Sequence, residues 1–326
     1  MSEFKILKVL KGGSFSSTNV IEDSNGTKRV RKFISQTEDR EYGLVRWQSQ
    51  VRRMQNLNII LPDNTPTIIE MGVTHSDFYY DIEFYEESLN LHEYLLKNDS
   101  EDIFPKVIDL INSYSNISYG SIKGSFSVFF TEEVLQKIQL ASNIIVEKYD
   151  KGFFSKDEFN FISSKIDSGK NAALNLLEHL KEMDIDECLT HGNLTLENMI
   201  FDKKSKNIIL IDPYSETYCE SVLGDYSQLM QSSVSHYELI NNLGEPFIKN
   251  VEDVIKLDIP RGLESFGSSL LKKLSNLDSK NQLILNLFHA GQFIRMFPFK
   301  IGKTPKLAAY FLVHGLNLIM KGTKNA

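Results

Sequence analysis

The spacing at which apolar residues recur changes near Leu89. Before it, FKILKVL (4–10), KRVRKFI (28–34) and DFYYDIEFYE (77–86) have the alternating or aromatic-rich pattern of β-strands. Between the first two, Ser24-Asn25-Gly26 predicts a tight hairpin turn, because Asn and Gly tolerate the positive φ that such turns require. After Leu89, apolar residues recur at intervals of three and four, as in helices. Strands followed by helices predict an α+β fold.

The chain is predicted to form two lobes, residues 1–88 and 89–326. The first lobe is expected to contain one helix as well, because five of its apolar residues have helical spacing: Leu44, Trp47, Val51, Met54 and Leu57. In the second lobe, segment 114–131 is rich in small and aromatic residues and is predicted to be an irregular loop. A cleft between two lobes is a common place for a ligand.

The composition of the chain argues against several classes of protein. The 43 Asp and Glu outnumber the 36 Lys and Arg, which gives a net charge of −7 and argues against a nucleic-acid partner. Two cysteines, Cys188 and Cys219, are too few for a disulfide framework and fit a reducing compartment. Neither a signal peptide nor a membrane-spanning apolar run is recognisable, so a cytoplasmic protein is expected.

The most informative segment is THGNLTLENMIFD (190–202), followed by ILIDP (209–213). A glycine-bearing turn precedes two short apolar strands, and Asp212 ends the second of them. Asn198 and Asp212 offer two hard oxygen donors, as Mg²⁺ prefers when water and phosphate supply its other ligands. Either residue alone is more simply explained as a turn former or a strand-end cap. Together, at this spacing, they favour a metal site.

The pattern of these residues resembles the catalytic and metal-binding loops of the protein-kinase-like aminoglycoside phosphotransferase and choline kinase superfamily. More narrowly, the chain looks like the phosphotransferase-type proteins of bacterial capsule and surface-polysaccharide gene clusters. Segments 79–95, 224–232 and 291–299 also resemble that group. The resemblance implies a protein-kinase-like two-lobed fold, with a strand-rich N-lobe and a larger helical C-lobe that carries the motif at 190–213.

The resemblance also implies a nucleotide site. It places a phosphate-covering loop at Gly12, Gly13 and Ser14, and a phosphate-contacting lysine at Lys32. The strand that would meet an adenine edge through its backbone lies within 79–91 and includes Glu83 and Tyr85. ATP, or another purine nucleotide, and Mg²⁺ are the cofactors implied, with the metal at Asn198 and Asp212.

Three residues of the catalytic loop region receive roles from the same resemblance. Asn193 occupies the position of the catalytic residue, and His191 shapes the turn through a hydrogen bond. Asp225 matches an aspartate at a helix start that braces the loop through backbone amides; helix capping is the simpler alternative and is compatible with that role.

Two residues depart from the pattern of the superfamily. Where it has an aspartate that accepts the proton of the attacking hydroxyl, this chain has Asn193, which cannot act as a general base. Where it has a glutamate that pairs with the strand lysine, the apolar register places Gln50, which would give Lys32 only a neutral partner. Glu41 replaces Gln50 only if the helix is read in another register.

Three explanations of Asn193 remain open. The protein is a pseudoenzyme that binds nucleotide, an enzyme that relies on positioning and Mg²⁺ more than on a base, or a variant carrying an engineered Asp-to-Asn change. The implied function is phosphoryl transfer from ATP to a hydroxyl of a sugar or glycan precursor, in capsule or surface-polysaccharide biosynthesis. The alternative is a silent pseudokinase that serves as a nucleotide-binding scaffold or regulator of a polysaccharide-synthesis enzyme.

Overall fold

The computed structural model of the protein describes residues 4–10, 16–35, 40–214, 218–243 and 258–322. The strands in this part of the chain are β1 (Phe4–Leu10), β2 (Ser16–Asp23), β3 (Lys28–Ser35), β4 (Ile68–Val73), β5 (Asp77–Glu83), β6 (Ser88–Asn90), β7 (Ser118–Lys123), β8 (Asp184–Cys188), β9 (Met199–Asp202) and β10 (Ile208–Leu210). The α-helices are α1 (Arg40–Ile60), α2 (Leu91–Leu95), α3 (Ile103–Ser115), α4 (Ser125–Phe129), α5 (Gln136–Asp150), α6 (Lys156–Lys181), α7 (Val222–Ser233), α8 (Tyr237–Asn241), α9 (Arg261–Leu274), α10 (Ser279–Ile294), α11 (Phe297–Lys300) and α12 (Pro305–Gly322).

The chain divides into two compact units. The first comprises Met1–Tyr94, Lys106–Tyr114 and His191–Glu216, and the second comprises Leu95–Pro105, Ser115–Thr190 and Thr217–Ala326. The motif segment that follows Thr190 therefore belongs to the same unit as the N-terminal strands. An antiparallel sheet in the N-terminal part and a helical C-terminal part give the α+β, kinase-like fold that the sequence predicts.

An antiparallel five-stranded sheet of order β1-β2-β3-β5-β4 forms the core of the first unit. The predicted turn at Asn25 and Gly26 is confirmed; it joins β3 to β2, a strand that the sequence analysis did not identify. Gly26 has a φ of 78°, and the Asp23 side chain accepts hydrogen bonds from the backbone nitrogens of Asn25 and Thr27 at 2.9 and 3.0 Å. These bonds fix the hairpin that precedes β3.

The helix α1 packs on this sheet through the apolar stripe that the sequence predicts. Val51 and Met54 of α1 form a buried cluster with Tyr80 and Ile82 of β5. Trp47 donates a hydrogen bond from Nε1 to the backbone carbonyl of Tyr79 at 3.0 Å. The packing orients α1, so one of its faces is fixed relative to the central strands.

A second, three-stranded sheet of order β10-β9-β6 carries the motif segment. The predicted pair of short strands after Asn198 is confirmed as β9 and β10, which are antiparallel. The side chain of Asn64, which follows α1, donates a hydrogen bond to the carbonyl of Ile208 at 2.9 Å, and the Leu210 nitrogen donates to the carbonyl of Asn64 at 2.7 Å. These bonds tie the end of α1 to β10 within the first unit.

The second unit is mainly helical. The helix α10 packs against α7 and α12, and α12 packs against α6. A capping box starts α6: the Ser155 hydroxyl accepts from the nitrogen of Glu158 at 3.2 Å, and the Glu158 carboxylate accepts from the nitrogen of Ser155 at 2.7 Å. None of the helices in the described part of the chain is both long and apolar enough to cross a membrane.

The prediction of an irregular loop over 114–131 is wrong for most of that segment. Strand β7 spans Ser118–Lys123 and pairs with β8, and α4 spans Ser125–Phe129. Every residue of β7 is exposed, so this strand lacks the alternation of buried and exposed residues that identifies strands in a sequence. A π-helical turn at Phe130–Leu135 continues from α4 to α5.

Two buried histidines of the second unit, His289 and His314, share one hydrogen-bonding partner. The Ser235 hydroxyl lies 3.0 Å from Nε2 of His289 and 3.2 Å from Nε2 of His314. Burial lowers the pKa of His289 to about 3 and that of His314 to about 4, from an ordinary 6.5. The proximity of His314 lowers the pKa of His289 further, and the charge of Lys321 lowers that of His314. Both side chains are therefore neutral in the folded protein at neutral pH.

We predict that the free energy of unfolding falls when the pH is lowered from about 7.5 to about 5.5. The unfolded chain takes up protons at these histidines below a pH of about 6.5, whereas the folded chain does not, so each costs about 1 kcal/mol at pH 5.5. Circular dichroism melting at the two pH values measures the loss. His314→Gln should reduce it, while His75→Gln, at an exposed position, should not. A melting temperature that is constant or higher at the lower pH would contradict the prediction.

Candidate functional site

Asp212 is the residue on which the motif segment and the N-terminal sheet converge. It lies two residues after β10 and has a φ of 55°, a left-handed conformation that Asp tolerates better than most residues. Its Oδ1 forms an ion pair with Nζ of Lys32 and accepts a hydrogen bond from Nε2 of Gln50 at 2.8 Å. One carboxylate thus connects β3, α1 and the motif segment.

Lys32 reaches Asp212 from the middle of the sheet. Its strand, β3, pairs with β2 on one side and β5 on the other, and Lys32 lies opposite Tyr80. The neighbouring Arg31 binds Asp81 of β5 through two hydrogen bonds, of 2.6 and 2.8 Å. This buried bidentate contact fixes β3 against β5 and so helps to fix Lys32.

Burial and charge act in opposite directions on the ion pair. Burial lowers the pKa of the Lys32 ammonium, and the Asp212 carboxylate opposes this shift. For Asp212, burial alone would raise the pKa, but the attraction and hydrogen bond of Lys32 outweigh it and leave the pKa below its ordinary value. Asp212 is therefore an anion at neutral pH, and its charge is opposed by that of Lys32.

Gln50 binds a partner that the sequence analysis did not predict. A contact between Lys32 and Gln50 was expected, whereas the structure has both side chains on Oδ1 of Asp212. Gln50 is buried, and Tyr80 donates a hydrogen bond to its Oε1 at 3.4 Å. Glu41 is exposed in the first turn of α1. The position that faces the ion pair therefore carries a neutral amide.

The turn at His191 and Gly192 has a shape that only glycine accommodates. Gly192 has a φ of 75°, and a Cβ at this position would lie 1.8 Å from the carbonyl oxygen of Tyr214. The nitrogen of Tyr214 in turn donates a hydrogen bond to the carbonyl of His191 at 2.9 Å. The turn is therefore held directly against the segment that follows Asp212.

Two asparagines complete this contact. Asn193 donates from Nδ2 to the backbone carbonyl of Asp212 at 3.1 Å. Asn198 donates from Nδ2 to the carbonyl of Asn193 at 2.8 Å, and its own carbonyl accepts from the nitrogen of Ile211 at 3.0 Å. The structure thus brings five of the predicted site residues together: Lys32, Gln50, Asn193, Asn198 and Asp212.

His191 is buried and neutral. Burial lowers its pKa to about 4, against the opposing effects of Asp212 and of a backbone hydrogen bond at Ile211. Its Nδ1 accepts a hydrogen bond from the nitrogen of Asn193 at 3.3 Å. These contacts fit the expected role of shaping the turn.

The oxygen atoms of Asn198 and Asp212 suit Mg²⁺ only in part. They are hard donors on adjacent segments, but Lys32 and Gln50 already contact Oδ1 of Asp212. Within the described ranges, no group of three or more His, Cys, Asp or Glu side chains is placed to hold a metal ion. The residues therefore fit a Mg²⁺ ion that takes most of its ligands from phosphate and water.

The other predicted site residues lie apart from these contacts or outside the described residues. Gly12, Gly13 and Ser14 fall in 11–15, which the structure does not describe. Glu83 is exposed at the end of β5 and accepts a hydrogen bond from the Tyr85 hydroxyl at 2.9 Å.

Asp225 belongs to the second unit. It is buried in the first turn of α7, where Ser221 is the N-cap residue and accepts from the nitrogen of Leu223 at 3.4 Å. Asp225 is thus not the residue that caps this helix, and the bracing role remains a prediction.

Arg46 is the residue of the site that the sequence analysis missed. It lies one turn before Gln50 on α1, so both side chains leave the same face of the helix. Its charge lowers the pKa of Asp212, and its guanidinium lies 5.6 Å from the ring centroid of Tyr214. The spacing of four residues from Gln50 was the sequence signal that pointed to Arg46.

Comparison with known proteins identifies the fold. The chain is similar to a candidate fructosamine-3-kinase of Thermobifida fusca YX-ER1, with a TM-score of 0.55 at 12% identity over 98% of this chain and 95% of that one. A second candidate fructosamine-3-kinase, of Haemophilus somnus 129PT, gives 0.52 at 16% identity, over 98% and 92%. A glucosamine kinase in complex with glucosamine, ADP and inorganic phosphate gives 0.50 at 8%, over 97% and 93%. No family model and no curated protein matches the sequence.

We predict that Gly192→Ala destabilises the first unit far more than Gly26→Ala. Both glycines have a positive φ, so each substitution costs about 1–2 kcal/mol in backbone strain. At Gly26 a Cβ meets nothing within 4 Å, whereas at Gly192 it collides with a backbone carbonyl. The total loss at Gly192 should exceed about 4 kcal/mol, as measured by urea unfolding. Equal losses for the two variants would contradict this account of the turn.

Proposed function

We propose that the protein is a small-molecule phosphotransferase that binds a purine nucleotide, such as ATP, at Lys32 and Asp212. The observation that carries this proposal is a chain of contacts within one unit. Lys32 forms an ion pair with Asp212, Asn193 donates to the carbonyl of Asp212, and Asn198 donates to the carbonyl of Asn193. Lys32, Asn198 and Asp212 match the phosphate-contacting and metal-binding positions of the superfamily that the sequence resembles, and Asn193 occupies the catalytic position, where the superfamily has an aspartate. The fold shared with sugar kinases supports the same reading.

In this proposal each side chain has one task. Lys32 contacts the phosphates, and Asn198 with Asp212 holds Mg²⁺, which neutralises phosphate charge when it is bound. Asn193 uses Nδ2 to bind the carbonyl of Asp212, which leaves Oδ1 to accept a hydrogen bond from the acceptor hydroxyl. That hydroxyl attacks the γ-phosphorus; the bond to the β-phosphate oxygen breaks, ADP leaves, and the proton of the hydroxyl passes to an oxygen of the transferred phosphoryl group and then to water. In a loose transition state, positioning and charge stabilisation carry most of the catalysis, so the reaction proceeds slowly without a base at Asn193.

The proposed acceptor is a hydroxyl of a sugar or glycan precursor. The glucosamine kinase that shares this fold was solved with glucosamine and ADP bound, which supports an acceptor of this class. The narrower resemblance to proteins of capsule and surface-polysaccharide gene clusters supports a role in that biosynthesis. A polysaccharide-synthesis enzyme is the partner that this role implies.

A second candidate function is a catalytically silent, nucleotide-binding pseudokinase. It is favoured by the hydrogen bond from Nδ2 of Asn193 to the carbonyl of Asp212, because an aspartate at this position has no donor for that bond. The local structure is thus adapted to an amide. In this case the protein regulates or scaffolds a polysaccharide-synthesis enzyme.

Nucleotide binding is tested first by thermal unfolding. With ATP and Mg²⁺ at about 100 times the dissociation constant, the folded state should gain about 2.7 kcal/mol. Lys32→Met should abolish the gain, and Lys28→Met, at a more exposed position of the same strand, should retain it. The absence of any shift for the unmodified protein with ATP, ADP or GTP would contradict both candidate functions.

Phosphoryl transfer is tested by ATP turnover in the presence of amino sugars and other sugar acceptors. We expect slow, acceptor-dependent ADP release by the unmodified protein, and a rate about 10²–10⁴-fold higher for Asn193→Asp, because a general base is restored. Asp212→Asn should abolish the turnover. If the unmodified protein and Asn193→Asp both bind nucleotide but neither turns over ATP, the silent pseudokinase is favoured.

A further inference from the structure

The charges around Asp212 leave this site net positive in an acidic chain. Lys32 forms an ion pair with Asp212, and the guanidinium of Arg46 lies 5.6 Å from the ring centroid of Tyr214, two residues after Asp212. Among the described residues, these two cations lower the pKa of Asp212 most. Two cations against one carboxylate give a net charge of +1, whereas the whole chain has −7. Gln50 and Asn193 also contact Asp212, and both side chains are neutral amides.

Arg46 has hydrogen-bonding capacity left at this site. One terminal nitrogen, Nη1, donates to the Tyr42 hydroxyl at 3.3 Å. Its Nε is buried and makes no hydrogen bond to any residue in the described ranges. A guanidinium has five N–H donors, and an unpaired buried donor costs about 1–3 kcal/mol. Arg46 is thus partly desolvated and incompletely satisfied beside a site that carries excess positive charge.

We propose that Arg46 contacts the phosphates of the bound nucleotide, and that Arg46 and Lys32 bind them whether or not a divalent cation is present. This rests on the nucleotide binding proposed above. Where several carboxylates face a polyphosphate, a metal ion is needed to offset their repulsion. Among the described residues, Asp212 is the one carboxylate that contacts Lys32 and Gln50. A guanidinium also matches phosphate geometry through paired N–H donors.

The chain itself offers a matched control. Arg52 lies on the same helix, α1, as Arg46 but is exposed. Replacing either arginine with glutamine removes one positive charge from the protein and leaves a good helix former in its place. A difference in ADP binding between the two variants therefore reports the local contact and not the total charge.

The first measurement uses the unmodified protein. Isothermal titration calorimetry with ADP in excess Mg²⁺ and in EDTA should give dissociation constants within about threefold of each other. If EDTA weakens ADP binding more than tenfold relative to Mg²⁺, this proposal is wrong, but the nucleotide site proposed above is not contradicted. Absence of ADP binding under both conditions would overturn the nucleotide site itself, and this inference with it.

The second measurement compares variants in EDTA. Arg46→Gln should weaken ADP binding at least tenfold, and Arg52→Gln less than twofold; Arg46→Lys, which retains the charge, should lose less than Arg46→Gln. Equal binding by Arg46→Gln and the unmodified protein would overturn the proposal. Circular dichroism melting identifies variants that fail to fold. If Arg46→Gln fails to fold, Arg46→Lys is the variant to compare. A dissociation constant of Arg46→Lys for ADP equal to that of the unmodified protein, at both low and high salt, would then overturn the proposal.

Discussion

The ion pair between Lys32 and Asp212 is the interaction on which the candidate site depends. Lys32 is fixed in the middle of an antiparallel sheet, and Asp212 follows a short strand of a different sheet, so the pair joins elements that are 180 residues apart in the chain. Asp212 needs a left-handed backbone to reach this position, and the contacts of Gly192 and Asn193 hold that backbone in place. The Gly192 turn and the strands β3 and β10 therefore position the Asp212 carboxylate together.

Amide side chains occupy two positions where the superfamily that the sequence resembles has carboxylates, and both amides donate hydrogen bonds to Asp212. Gln50 donates to Asp212, which a glutamate could not do at neutral pH, and Asn193 donates to the carbonyl of the same residue. These donors stabilise the Asp212 segment in a way that acidic side chains would not. The same exchange removes negative charge from the place where a polyphosphate is proposed to bind, and Arg46 adds positive charge. In the proposed function, the absence of a general base and the presence of an anion-binding surface would both follow from the amides at these two positions.

Much of the fold could be predicted from local patterns in the sequence. The strands β1 and β3, the Asn-Gly turn and the apolar stripe of α1 were each predicted from residues within a short window, and the structure confirms these elements. Strand β7 was missed because its sequence, SYGSIK, is rich in small and polar residues and lacks the alternation of apolar and polar residues that identified β1. In the site, the motif indicated Asn198 and Asp212, but the partner of Gln50 and the presence of Arg46 depend on how α1 packs against segments more than 150 residues away. The spacing of four residues places Arg46 on the same face of α1 as Gln50, but no local pattern shows what that face contacts.

The central claim is that Lys32 and Arg46 form a phosphate-binding surface beside Asp212. The most direct test is a crystal structure of the protein with ADP and without divalent metal. The account predicts that phosphate oxygens of ADP lie within hydrogen-bonding distance of Nζ of Lys32 and of the guanidinium of Arg46. ADP bound with its phosphates away from both side chains would contradict it.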